Sequence, residues 1–293
     1  MLAVTAGRYR VLTDDTELVA TLRGRMKLSV DRVVVGDRVS IAAHEDDSWT
    51  IEAVHERRSV LRQRRPGKGR GTRVVAANLD QVVVVGAVAE PPWEPNLMDR
   101  FVAVAEVNQL PVVIVMNKCD LHVDPEALAS PYRKAGYSVE YTSTLEGRGL
   151  ERLRVLLDGR ISLLTGPTGV GKSSLLNALQ PGLALRTQAV GRRGGRHTTV
   201  AAELHRLGAR GLVADTPGLR DIGLWGLDPV DVGRAFPELQ RFAGQCRFDN
   251  CRHQNEPACA VVQAAEHDDI SWSRLTSYRV LLNEAAGAAR PWE

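Results

Sequence analysis

The sequence predicts an α/β chain on a mostly parallel sheet, with a β-rich segment before it and short helices after it. Three observations carry this prediction. From about residue 74 to 225, apolar β-branched runs alternate with helical stretches, the pattern of a parallel sheet covered on both faces. Residues 1 to about 64 hold short strands separated by charged or glycine-containing turns. After about residue 226 the pattern changes to short polar helices, and Cys246, Cys251 and Cys259 fall close together.

In the first segment, residues 9–12, 33–35 and 39–42 read as strands, with a turn at Val35-Gly36-Asp37-Arg38-Val39. Five such strands would suit a small barrel of the oligonucleotide-binding type. A basic bridge follows, rich in Arg57, Arg58, Arg62, Arg64, Arg65, Lys68, Arg70 and Arg73 and broken by Pro66, Gly67, Gly69 and Gly71. It is either a solvated linker or, beside a nucleic-acid-binding barrel, a contact to RNA phosphates. The expected partition is 1–64 barrel, 65–73 basic linker, 74–225 nucleotide domain and 226–293 metal-binding tail. In the central part, residues 81–85, 111–116, 161–165 and 211–214 read as strands, and 97–107 and 173–179 as helices. A final helix is expected around 271–285.

A chain of 293 residues with 44% apolar content accommodates one to three domains with real cores. The net charge of +3 is small. No apolar run approaches the roughly 18 residues of a membrane span, and Arg8, Arg10, Asp14, Asp15 and Glu17 interrupt any signal-peptide core. The expectation is a cytoplasmic monomer without membrane contact. In a reducing compartment three clustered cysteines point to a metal rather than to disulfides.

Gly166-Pro167-Thr168-Gly169-Val170-Gly171-Lys172-Ser173, followed by Ser174, fits the phosphate-binding loop G-x-x-x-x-G-K-[ST] after a strand and at a helix start. Its glycines let backbone N–H groups approach a phosphate at the positive end of a helix. Lys172 is expected on the β- and γ-phosphates and the Ser173 hydroxyl on Mg²⁺. Asp215-Thr216-Pro217-Gly218 ends the next strand, placing Asp215 to hold Mg²⁺ and the Gly218 N–H to meet the γ-phosphate. Asn117-Lys118-Cys119-Asp120 has the N-K-x-D form of a guanine grip. Asp120 accepts from N1–H and the exocyclic amine, a pattern adenine lacks. Asn117 faces the O6 or N7 edge, and the Lys118 stem lies along the base. Cys119 is expected as a buried small residue without a chemical role. Ser143-Thr144-Leu145 would supply a backbone N–H to O6, although Ser-Thr pairs in loops are also common caps. The guanine motif precedes the phosphate loop, the reverse of ordinary GTPases, so the chain reads as a circularly permuted GTPase.

Between the phosphate loop and Asp215 lies a glycine-rich basic stretch ending His197-Thr198-Thr199. One threonine, Thr199 rather than Thr198, is the candidate to complete Mg²⁺ coordination; otherwise the stretch is a basic loop leading into a strand. Leu219 stands where many GTPases use a glutamine to orient water. His197 is the candidate replacement, the alternative being a solvent-exposed loop histidine. Cys246, Cys251, His253 and Cys259 make a closed set suited to structural zinc.

The permuted motifs, the β-rich beginning and the Cys-Cys-His-Cys tail together resemble the ribosome small-subunit-dependent GTPase family, bacterial assembly factors of the 30S subunit, over essentially the whole chain. The resemblance implies an oligonucleotide-binding barrel, a permuted GTPase domain and a zinc-binding tail. It also implies GTP hydrolysis to GDP during late 30S maturation, stimulated by the subunit, with 16S rRNA as partner. Matching positions are Asn117, Lys118 and Asp120, the loop from Gly166 to Ser174, Asp215 to Gly218, and the three cysteines with His253. The apolar Leu219 also fits, while Ser143-Thr144-Leu145 departs from the more usual Ser-Ala-Lys. The competing readings are a guanine-nucleotide-binding RNA module with structural or very slow turnover and a GTPase acting on a protein or membrane partner.

Overall fold

The computed structural model describes residues 1–5, 7–14, 16–23, 33–64, 71–121, 124–183, 203–214 and 227–289. The chain opens with β1 (Ala3–Thr5), β2 (Arg8–Thr13), β3 (Thr16–Leu22), β4 (Val39–Ala43) and β5 (Trp49–Val54), which form one sheet in the order β1-β2-β3-β5-β4. β3 and β5 run parallel and the other neighbours antiparallel. Tyr9 and Val11 on β2, Ala20 on β3 and Ile51 on β5 fill its core, because alternate residues of a strand point to one face. The expected run at 33–35 is not a strand. It is a loop whose Val35 bridges Ala76.

β6 (Val60–Arg64) and β7 (Thr72–Ala77) pair antiparallel, so Arg62, Arg64 and Arg73 of the basic bridge lie on paired strands, whereas Arg57 and Arg58 precede them in a loop. Arg73 donates to Gln63 at 2.7 and 2.9 Å. Asp37, buried at 1% exposure, accepts from Arg57 at 2.7 and 2.9 Å and from the Val34 N–H at 2.8 Å. This ties the loop before β4 to the chain leading into β6.

The central sheet comprises β8 (Gln81–Ala87), β9 (Val112–Asn117), β10 (Ser138–Tyr141), β11 (Ile161–Thr165), β12 (Leu204–Leu207) and β13 (Gly211–Ala214), in the order β10-β9-β8-β11-β13-β12. All pairs are parallel except β12–β13. β8 is buried along its length. Val82 and Val84 belong to one core, shared with α1 (Pro95–Val107) and α2 (Pro125–Ala135). Val83 and Val85 belong to the other, with Leu153 and Leu157 of α3 (Leu150–Leu157) and Leu175, Leu176 and Leu179 of α4 (Lys172–Leu179). Register matches Thr165 of β11 to Val84 of β8, and Ala87 of β8 to Asn117 of β9. The carboxyl ends of these strands therefore share one edge, where open α/β sheets bind ligands.

Helices α5 (Pro229–Arg234), α6 (Pro237–Ala243), α7 (Ala260–Glu266) and α8 (Trp272–Ala289) follow. They form their own apolar core, into which α1 contributes Ala103. At the other end, the Leu204 N–H donates to Leu2 O at 2.8 Å and Ala3 bridges Glu203 antiparallel, so the first residues lie along the edge strand β12. Among the described residues, no helix is long and apolar enough to cross a membrane.

Candidate guanine-nucleotide site and cysteine cluster

The phosphate loop leaves β11 at Gly166, whose φ is +135°. A Cβ there would lie 2.0 Å from the Val85 carbonyl oxygen, and one on Gly171, with φ +96°, would lie 2.4 Å from Asn117 Nδ2. Only glycine fits this close approach of three strands' ends. Lys172 opens α4 and is buried. Its ammonium donates to the carbonyls of Gly166 at 2.7 Å and Pro167 at 2.6 Å. Ser173 and Ser174 follow in the first turn of α4, both half-buried.

The guanine motif ends β9 on the other side of β8. Asn117 is fully buried; its Nδ2 donates to Val170 O at 2.9 Å and its Oδ1 accepts from the Thr142 hydroxyl at 3.0 Å. Asn117 is thus a strut between the two motifs, in addition to the O6 or N7 contact expected of it. Lys118 has φ +61° and its ammonium donates to Glu90 O. Cys119 is buried, its thiol bonded to Met116 O at 3.2 Å, and burial pushes that thiol up from its ordinary pKa.

Asp120 is half-buried and accepts from the Ser143 hydroxyl at 2.6 Å. That bond holds its carboxyl below the usual carboxylate range. The Ser143 hydroxyl in turn accepts from the Glu146 N–H at 3.1 Å, while the Ser143 N–H donates to Arg148 O at 3.0 Å. The Ser143 backbone is therefore spoken for, and within Ser143-Thr144-Leu145 a backbone donor toward a base falls to Thr144 or Leu145. His197, Thr199, Asp215 and Gly218 lie outside the described residues, as does Leu219.

A second site sits in the tail. The donor atoms of Cys246, Cys251, His253 and Cys259 all lie within 4.8 Å of one another. Cys246 Sγ is 3.9 Å from Cys259 Sγ and 3.6 Å from His253 Nδ1, and His253 Nδ1 is 3.4 Å from Cys259 Sγ. A tetrahedral ion with bonds of about 2.0–2.3 Å needs donors roughly 3.4–3.8 Å apart, so the spacing fits. The tight turn that His253 requires is taken up by its φ of +57°. Burial pushes the Cys251 thiol up to about 12 and lowers the His253 imidazole, the directions expected of donors crowded away from water.

A family model, RsgA GTPase, matches residues 54–225, which span β6 to β13, the phosphate loop and the guanine grip. The chain belongs to the RsgA GTPase family. A family protein of Gemmatimonas aurantiaca, "Small ribosomal subunit biogenesis GTPase RsgA", is 48% identical over 97% of this chain and 95% of its own. One of the same description from Moorella thermoacetica is 40% identical over 97% and 96%. Among solved structures, YjeQ from Thermotoga maritima superposes with a TM-score of 0.81 at 33% identity, covering 98% of this chain and 97% of that one. YloQ, described as a circularly permuted GTPase, gives 0.75 at 29% identity over 98% and 94%. This RsgA-family chain carries its permutation in the strand order itself: β11, the phosphate strand, is central although it comes fourth in the sheet's sequence.

Sequence reasoning missed Thr142, which fixes the Asn117 amide, and the loop at Glu90–Trp93, which receives Lys118. Nothing in the spacing marks Thr142. The Pro91-Pro92-Trp93 run directly after an apolar strand was the available signal for the loop.

Proposed function

We propose that this protein is a GTPase of small ribosomal subunit biogenesis that hydrolyses GTP to GDP and phosphate. The observation that carries the reading is the buried Asn117–Val170 bond, which holds a guanine grip and a phosphate loop at one sheet edge as a single cradle. Asp120, ionised and aimed by Ser143, accepts from the guanine N1–H and amine; the second N–H of Asn117 Nδ2 meets N7; Lys118 covers the base. The Gly166–Gly171 backbone and Lys172 surround the β- and γ-phosphates. Magnesium bound with the nucleotide supplies neutralisation of phosphate charge, and Ser173, Asp215 and Thr199 are the residues to hold it. Gly218 contacts the γ-phosphate, and His197 stands in for the glutamine that Leu219 replaces.

The three-part division of labour follows from the same reading. The 1–64 barrel and the 65–73 basic stretch engage 16S rRNA, residues 74–225 turn over GTP, and the 226–293 tail is braced by one structural zinc on Cys246, Cys251, His253 and Cys259. The protein acts as a cytoplasmic monomer on late 30S particles, which stimulate its hydrolysis. The test measures GTP hydrolysis alone, with 30S and with 50S subunits. A large rise with 30S only supports the reading. Equal rates in all three would leave a guanine-nucleotide-binding RNA module whose slow turnover reflects Leu219.

A further inference from the structure

A run of packed side chains leads from the cysteine cluster to the cleft beside the phosphate loop. The His253 ring lies 5.9 Å from that of Tyr278, and Tyr278 meets Phe236 edge-on at 5.6 Å. The guanidinium of Arg274 stands 4.6 Å from the Phe236 ring and 5.5 Å from the Tyr132 ring. Tyr132 meets Trp93 edge-on at 5.7 Å. Trp93 covers Gly86 of β8 so closely that a Cβ there would lie 2.3 Å from its ring. With Pro167, Thr168 and Val170 of the phosphate loop, Trp93 lines a cleft of about 220 Å³.

Polar contacts follow the same route. Arg274 of α8 is 1% exposed and donates from Nε to Glu238 of α6 at 2.7 Å and from Nη1 to Asp99 of α1 at 2.6 Å. Ser277 donates to Asn96, on the first turn of α1, at 2.7 Å. On the same helix, Arg279 donates to the carbonyls of His253 at 2.8 Å and Gln254 at 2.7 Å. At the front of α1, the loop that carries Trp93 also carries Glu90, whose carbonyl receives the ammonium of Lys118.

One helix, α8, therefore grips the cysteine loop through Tyr278 and Arg279 and grips α1 through Arg274 and Ser277. A guanidinium is a rigid planar fork, and one desolvated between two carboxylates and a wall of rings has few alternative positions. Burial opposes its charge, but Asp99 and Glu238 outweigh that and hold it protonated above the usual range.

We propose that Arg274 is a positioning residue for the nucleotide site: through Asp99 and the Tyr132–Trp93 contact it sets the Glu90–Trp93 loop, which receives Lys118 and faces the phosphate loop across their shared cleft, and so links filling of the cysteine cluster to nucleotide binding. This inference rests on the reading above, in which the two ligands are zinc and a guanine nucleotide. Thermodynamic linkage makes the effect reciprocal. Zinc on the cluster tightens GDP by some factor, and GDP tightens zinc by the same factor.

The test measures GDP affinity with a fluorescent analogue on zinc-loaded and chelator-stripped full-length protein, and zinc affinity against a competing chelator with and without saturating GDP. The expected result is one matching factor of about tenfold in both directions, falling to near one in Arg274→Met and partly restored in Arg274→Lys. If Arg274→Met fails to fold, Ser277→Ala, which removes only the hydroxyl bonded to Asn96, reduces the factor. A wild-type factor within twofold of one overturns the inference, as does a factor unchanged in the folded variants. Failure of the wild-type protein to bind zinc or GDP at all overturns the functional reading itself, and the inference with it.

Discussion

The side-chain amide of Asn117 donates to the Val170 carbonyl at 2.9 Å across 53 residues of chain. Because Asn117 is fully buried and its Oδ1 is held by Thr142, the bond fixes the distance between base and phosphate subsites. Asn117→Ala leaves the Val170 carbonyl and the Thr142 hydroxyl without this partner, at a cost of about 1–3 kcal/mol. GDP affinity measured by calorimetry should fall roughly 5- to 150-fold. An unaltered Kd would show that the two subsites do not depend on this strut.

The Ser143 hydroxyl donates to the Asp120 carboxylate at 2.6 Å. That bond depresses the Asp120 pKa, so the ionised, guanine-binding form persists as pH falls through the ordinary aspartate range near pH 4 and is lost only below it. Ser143→Ala removes the depression, and GDP binding should weaken at higher pH than in the wild type. Titrations of both proteins across the acid range, between about pH 3 and 5, decide this; superimposed curves there would remove Ser143 from the grip.

Base choice itself rests on the Asp120 carboxylate. Asp120→Asn presents a donor where guanine also donates, and pairs instead with the O2 of xanthine. Competition between GDP and XDP should reverse in favour of XDP, and an unchanged preference would take Asp120 out of the base site.

Gly171 has no room for a methyl group, since a Cβ would sit 2.4 Å from Asn117 Nδ2 and the backbone has φ +96°. Gly171→Ala therefore strains the backbone by about 1–3 kcal/mol and displaces the same strut that Asn117→Ala removes. Combined, the two changes should weaken GDP by less than the product of their separate effects. Full additivity would mean that the glycine serves a different contact.

Away from the site, Asp37→Ala removes two hydrogen bonds that Arg57 donates to it and the acceptor of the Val34 N–H. With Asp37 fully buried and Arg57 mostly so, loss of one partner should cost about 3–5 kcal/mol. Urea unfolding followed by tryptophan fluorescence, with Trp49 on β5 of the N-terminal sheet, reads the change directly.

Much of this was legible before any coordinates. Apolar β-branched runs located β11 and β13 to the residue, because strands buried on both faces leave no ambiguity of period. The glycine pattern of the phosphate loop and the N-K-x-D turn likewise announced themselves, as close backbone approach and base recognition tolerate few residue types. What escaped depends on partners distant in sequence. β3 and β5 carry exposed polar positions such as Glu17 and Glu52 that blur alternation. The pairing of β6 with β7 escaped because the arginines of the basic stretch mask any alternation, and each strand is specified by its partner. Arg274 looks like any helical arginine until Asp99, 175 positions earlier, is placed beside it.

The seating of Leu2 and Ala3 along β12 has a practical side. A strand at a sheet's margin offers unpaired N–H and C=O groups as a template for foreign strands, and here the protein's own first residues occupy that margin. Appending a bulky fusion directly before Met1, whose amino group already donates to Asp37 O at 2.9 Å, would pry this cover loose. Preparations made that way should drift toward oligomers, whereas fusions at the opposite terminus should stay dispersed.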